Sequence, residues 1–381
     1  MRHGCLLFGF VFSMHLLAQD TTYARKVIGF LTSEKCYGRG YLKNGLNHAA
    51  DYISEELKKQ RVTSLFASGY FQPFTLNVNT FPGKVSVKIN KRRLQPGVDY
   101  IMNPESASLR GKFDLEKKDS ITYFSHNKST PLKITLKRKL TFSVASESAT
   151  YCGIQLLNKN NFNDLKTAEV NIRSTVVKDF QCKNICGFIN GTENNDSLIV
   201  FSAHYDHLGG LGKKTFFPGA NDNASGVSVL LNLAAHYSKN PPRYKTLFIF
   251  FAGEEAGLIG SHFFVESKAV DLKKIKFLLN LDLLGTGDDG IMVVNGAIHE
   301  KQFALLNQVN SEQQLVKEIK KRGKAQNSDH YWFSEAGVPC FFIYTLGGVT
   351  SYHDVFDIEK TLPLTDYTDV CRLILEFTKR L

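Results

Sequence analysis

Four apolar runs in the second half of the chain end abruptly on acids or histidines. Residues 197–203 are followed by His204 and Asp206, 246–252 by Glu254 and Glu255, 277–281 by Asp282, and 338–344 by His353 a few residues on. Runs this short and this apolar read as strands buried on both faces. Helical patterns lie between and after them, at 226–237, from about Ser261, at 301–321 and at 364–379. Strand alternating with helix predicts an α/β fold with a mixed, largely parallel central sheet covered by helices on both faces. In open sheets of this kind ligands bind beyond the carboxyl ends of the strands, and the acids and histidines fall there.

Carboxylates next to buried strands need a partner or a metal, because burying an unpaired charge is costly. His204, Asp222, Glu254, Glu255, Asp282 and His353 come from separate parts of the chain and would converge. Asp222 opens the apolar helix and is also a candidate N-cap. A carboxylate and imidazole set without thiolate suits a catalytic zinc site.

The rest of the chain divides by texture. Arg2 and His3 precede an apolar run that ends at Ala18 and is broken by Gln19 and Asp20. Residues 1–18 therefore read as a secretory signal peptide, too short to span a bilayer comfortably. A secreted or periplasmic protein is expected, with no stable membrane insertion after cleavage. Gly38-Arg39-Gly40-Tyr41 leads into an amphipathic helix. From 71 to 165 short alternating runs separated by Pro-Gly turns predict a β-rich insertion. The catalytic part is then 19–70 and 166–381.

With the signal removed, Cys36, Cys152, Cys182, Cys186, Cys340 and Cys371 remain. An even count in an exported chain permits disulfides, and Cys182 and Cys186 could close a small loop; buried thiols are the equal alternative. Much of the net charge of +11 lies in 84–93 and 133–139, where a solvated sheet face is expected. No nucleic-acid motif accompanies the charge, so no nucleic-acid partner is expected.

Ser202-Ala-His-Tyr-Asp-His-Leu-Gly209, Gly219-Ala-Asn-Asp-Asn-Ala-Ser-Gly226 and Ala252-Gly-Glu-Glu-Ala-Gly-Leu-Ile-Gly-Ser261 resemble the signature blocks of the M28 zinc peptidases. Asn280-Leu-Asp-Leu-Leu-Gly285, Ser328-Asp-His330 and Tyr352-His-Asp354 are similar to the later blocks. The resemblance covers roughly 25–65 and 167–381. It implies a zinc exopeptidase-like fold, two zinc ions and a peptide or protein substrate. Asp222 would bridge the ions, His204, Asp282, Glu255 and His353 would complete the two shells, and Glu254 would be the general acid/base. Asp206 would orient His204. The resemblance also implies a cis peptide between Asp222 and Asn223. Ser328, Asp329, His330 and Tyr331 would shape the substrate pocket, with His330 or Tyr331 facing the developing oxyanion.

Removal of one residue from a free amino terminus is the expected activity. One alternative is a glutaminyl cyclase on the same fold, whose relatives typically place a tryptophan before the last histidine; here that residue is Tyr352. The other is a catalytically silent receptor or scaffold, against which the complete ligand set argues.

Overall fold

The computed structural model describes residues 21–125, 129–158 and 164–381. The expected signal peptide lies outside the described residues. A nine-stranded sheet runs in the order Thr63–Ser64, Thr175–Ile189, Lys245–Phe251, Leu198–His204, Ile275–Leu281, Cys340–Thr345, Ile291–Val294, Ile319–Lys321, and Phe71–Thr80 also pairs with Thr175–Ile189. The four central strands, Lys245–Phe251 through Cys340–Thr345, are mutually parallel, whereas Thr175–Ile189 and Ile291–Val294 join antiparallel. The sheet is mixed and parallel at its centre.

The parallel strands are buried along nearly their whole length, because helices cover both faces. Thr21–Leu31, Gly45–Lys59, Gly226–Lys239 and Tyr367–Arg380 pack their apolar sides into the larger core, with Phe201, Phe248, Phe277 and Phe341. Ile259–Glu266 and His330–Glu335 close the other face over Val200, Ile249, Phe251 and Leu278.

The β-rich segment forms a five-stranded and a four-stranded sheet that share a second core around Val87, Tyr100, Ile134, Ile154 and Val170. Phe71–Thr80, expected in this segment, pairs instead with the long strand of the large sheet. Thr167–Ile172, expected in the catalytic part, pairs in the four-stranded sheet. Between the parallel strands Leu132–Lys137 and Cys152–Leu157, residues 138–151 form an irregular strap. Leu140 and Phe142 of the strap sink into the second core, and the amide of Asn79, in the large sheet, donates to Ala145 at 2.8 Å.

One further element differs from expectation. The helix expected over 301–321 spans Glu300–Gln313, followed by the short strand Ile319–Lys321. The six described cysteines are free and buried, Cys182 in the larger core and Cys186 in the smaller, so the open choice between disulfides and thiols falls to thiols. No described helix is long and apolar enough to cross a membrane.

Candidate metal and catalytic site

The central strands bring the site together. His204 ends its strand opposite Phe251, so Glu254 and Glu255 follow in the next turn of chain, and Asp282 comes one residue after the neighbouring strand. The carboxylate of Asp206 accepts from the amides of Glu254 and Glu255 at 3.2 and 3.3 Å. It stands 3.8 Å from His204 Nδ1, which is 3.2 Å from the carbonyl oxygen of Asp206. Asp206 therefore fixes the Glu-Glu turn directly and touches the imidazole through its backbone.

Asp222 lies in the tight turn Ala220–Ser225, and its peptide bond to Asn223 is cis. The turn is held from both sides. The carboxylate of Asp357 accepts from the amides of Asn221 and Asp222 at 2.9–3.1 Å. The fully buried Arg39 donates to the carbonyls of Leu31, Tyr205, Pro218, Gly219 and Asp222. Asn223 bonds the carbonyl of Leu281 and the amides of Gly226 and Leu283.

The result is one carboxylate between two imidazoles. His204 Nε2 is 3.4 Å from Asp222 Oδ1 and 3.4 Å from Asp282 Oδ1. His353 Nε2 is 3.1 Å from Asp222 Oδ2 and 3.3 Å from Glu255 Oε2. Ligands on adjacent corners of a tetrahedral zinc with bonds of about 2.0–2.1 Å stand about 3.3 Å apart, so both sets have the spacing of donors around an ion. Asp282 Oδ1 is buried and has no hydrogen-bond partner, as an oxygen aimed at a cation would be. His207 Nδ1, also near this group, is 2.7 Å from Glu255 Oε1. That is a hydrogen bond, and it leaves Oε2 to face His353.

The electrostatics tell the same story. Burial lowers the pKa of His204, but Asp282, Glu254 and Asp222 outweigh it and hold the imidazole well above its ordinary range. Burial also lowers that of His353, and Glu255 and Asp222 push it up to about 9. Burial raises Asp222, yet the bond from His353 and the nearby histidine charges bring its carboxyl below the usual range. Burial raises Asp282 and lifts Glu254 well above a normal carboxyl, with Glu255, Asp329 and Asp282 adding to the rise against His204. Carboxylates gathered this tightly call for positive charge, which protons on the imidazoles supply and a divalent cation would supply better.

These residues open into a cavity of about 400 Å³, whose wall includes Glu254, Leu258, Leu283, Phe342, Tyr344, Tyr352 and His353. Tyr352 stacks on His353 with centroids 4.0 Å apart. The loop before the short helix contributes Gln326 and Asn327 to the wall. Ser328 sits behind, accepting from Asn280 and donating to Asp282 Oδ2. Asp329 and His330 are enclosed, His330 lies against Phe342, and Tyr331 packs on Trp332; none of the three lines the cavity. Burial raises Asp329 to about 7 and lowers His330 to about 4.

Three contributors were missed in the sequence. His207 lies inside the block around His204, and its place three residues after that histidine is the available signal. Asp357 carries no pattern of its own. Phe142 belongs to the β-rich segment: its carbonyl oxygen is 2.9 Å from His353 Nδ1, and its amide donates to the His353 carbonyl at 2.9 Å.

The family model described as peptidase family M28 matches residues 184–378. Aminopeptidase YwaD of Bacillus subtilis is 26% identical over 248 residues, 61% of this chain and 53% of its own length. The chain thus matches about half the length of that relative. The zinc aminopeptidase BSAP from Bacillus subtilis superposes with a TM-score of 0.69 at 17% identity, over 95% of this chain and 94% of its own. A Bacteroides thetaiotaomicron glutaminyl cyclase superposes with a TM-score of 0.54 at 13% identity, over 95% and 98%. At these identities the two structures share the fold.

Proposed function

The chain belongs to peptidase family M28, and from that premise we propose that it is a two-zinc aminopeptidase of the secreted or periplasmic space. The observation that carries the reading is the Asp222 carboxylate, with one oxygen facing His204 and the other His353. Asp282 completes the first donor set and Glu255 the second. The domain division that goes with it is a catalytic unit interrupted by the β-rich segment.

Zinc held in these sets would supply Lewis-acid polarisation of the scissile carbonyl and acidify a water. Glu254 lines the cavity beside its neighbour Glu255. The Glu254 carboxylate would take the proton of the attacking water and return it to the leaving amine. Asp206 holds the turn that carries both glutamates by accepting from their two amides. Among the described residues no lysine or arginine lines the cavity. No fixed side-chain cation is therefore in place to pair with a peptide's carboxylate end, which favours the amino terminus as the end that is read. Leu258, Leu283 and Phe342 suit an apolar first side chain.

The test is metal content with activity in parallel. Wild type is expected to hold two zinc ions and to hydrolyse free but not N-blocked peptides. Glu254→Gln should keep its metal and lose about 100-fold or more of its rate. Release of ammonia from an N-terminal glutamine peptide, without hydrolysis, would instead establish the cyclase. Absence of both metal and turnover would leave a scaffold.

A further inference from the structure

We propose that the β-rich segment is a working part of the metal centre: its strap, through Phe142, fixes the orientation of His353 and thereby sets the affinity of the second zinc. The inference rests on the two-zinc reading above. A histidine that binds metal through one nitrogen needs its other nitrogen held, and the partner decides both tautomer and ring angle. For His204 that partner comes from its own strand end, the carbonyl of Asp206. For His353 it comes from a different sheet system, 211 residues earlier in the chain. The Phe142 carbonyl accepts from His353 Nδ1 at 2.9 Å, leaving Nε2 to face Asp222 and Glu255. The reciprocal bond from the Phe142 amide to the His353 carbonyl, also 2.9 Å, ties backbone to backbone.

The rest of the His353 loop is docked in the same direction. Lys139 Nζ donates to the carbonyl of Thr350 at 2.8 Å. Val355 packs against the core of the β-rich segment and sits so close to Gly97 that a Cβ there would lie 2.6 Å from Val355 Cγ1. Phe142 is held in turn: its ring is buried and stacks on Phe217 with centroids 4.7 Å apart and planes 7° from parallel. Phe217 lies just before the turn that carries Asp222. Phe142 is thus a positioning residue, the pin through which the small sheets reach the metal. Ser143, next in the strap, forms part of the cavity wall, so the segment that orients the ligand also faces the substrate.

Zinc titration against a chromophoric chelator tests this without reference to turnover. Wild type should bind two ions. Phe142→Ala removes the stack that seats the strap, and Val355→Ala loosens the loop from the other side while leaving the strap intact. Each should weaken the second zinc by about 10- to 100-fold and leave the first unchanged. The far-ultraviolet spectrum and a cooperative melt of the metal-free variant report folding, and Val355→Ala carries the test if Phe142→Ala does not fold. Equal affinity for the second ion in the folded variants, or equal weakening of both ions, overturns the inference. Wild type that binds a single zinc removes the two-zinc reading, and this inference with it.

Discussion

Arg39 uses all five of its N–H donors on carbonyl oxygens, three of them in the stretch from Pro218 to Asp222. The residue has no exposed surface, and Asp222, Asp357 and Asp206 supply its counter-charge at longer range. Removing the guanidinium would strand several buried carbonyls, each costing about 1–3 kcal/mol when unsatisfied. Arg39→Met should therefore destabilise the fold by about 3–5 kcal/mol in urea titration. Arg39→Lys should recover only part of this, since an ammonium offers three donors and no planar fork; full recovery would show that charge alone matters. In the sequence Gly38-Arg39-Gly40 reads only as the lead into an amphipathic helix, with no sign of this task. Sequence pattern marks a side chain proposed to hold metal, such as Asp222. It is silent on a side chain such as Asp357, whose carboxylate accepts from backbone amides.

At the scale of elements, the stretch before the first long helix crosses the strand-end loop almost in backbone contact. Gly40 has an ordinary extended backbone, but a Cβ there would lie 2.4 Å from Gly209 Cα and 2.6 Å from its nitrogen. Neither atom belongs to a side chain that could turn away. Gly40→Ala should cost about 1–3 kcal/mol as an overpacking substitution, read as a lower melting temperature of the metal-free protein; an unchanged melt would show that the two chains separate freely. The parallel strands were legible because burial on both faces leaves near-continuous apolar runs. The end of the helix Glu300–Gln313 was not. Leu315 and Val316 return to the core after it, which keeps the apolar spacing going past the true stop. The stop is made by Asn310, whose side chain accepts from the amides of Leu315 and Val316, and by Gln314 at φ 53°.

Taken whole, the molecule joins two sheet systems whose cores meet where Leu208, Leu211 and Phe217 of the catalytic part enter the second core. Texture revealed the β-rich segment; its edges were hidden because Phe71–Thr80 alternates like its neighbours yet pairs across to the large sheet. Stability against pH follows from the enclosed groups. His330 is held at about 4 against an ordinary 6.5. Below pH 6.5 the unfolded chain takes up a proton that the folded chain refuses until about pH 4. The folded state therefore loses stability as pH falls through that window, by about 3 kcal/mol in total. Asp206 and Asp329, raised to about 6 and about 7, act with the opposite sign, losing their contribution as pH rises through those values. The His330 share is the difference between metal-free wild type and His330→Asn in denaturation at pH 4 and pH 7; identical pH slopes would show that it carries none. The buried thiols have a practical consequence. Burial raises all six, to about 12 for Cys152 and Cys340, so each is both hidden and poorly nucleophilic. In a chain lacking residues 1–18 they are silent reporters spread across all three cores. A disulfide-exchanging dye should leave the folded protein unlabelled and colour it only as fast as the molecule opens. Prompt labelling of native protein would mean that one core breathes on its own. The six described cysteines form no cross-link, so refolding of a chain lacking residues 1–18 should not require an oxidant.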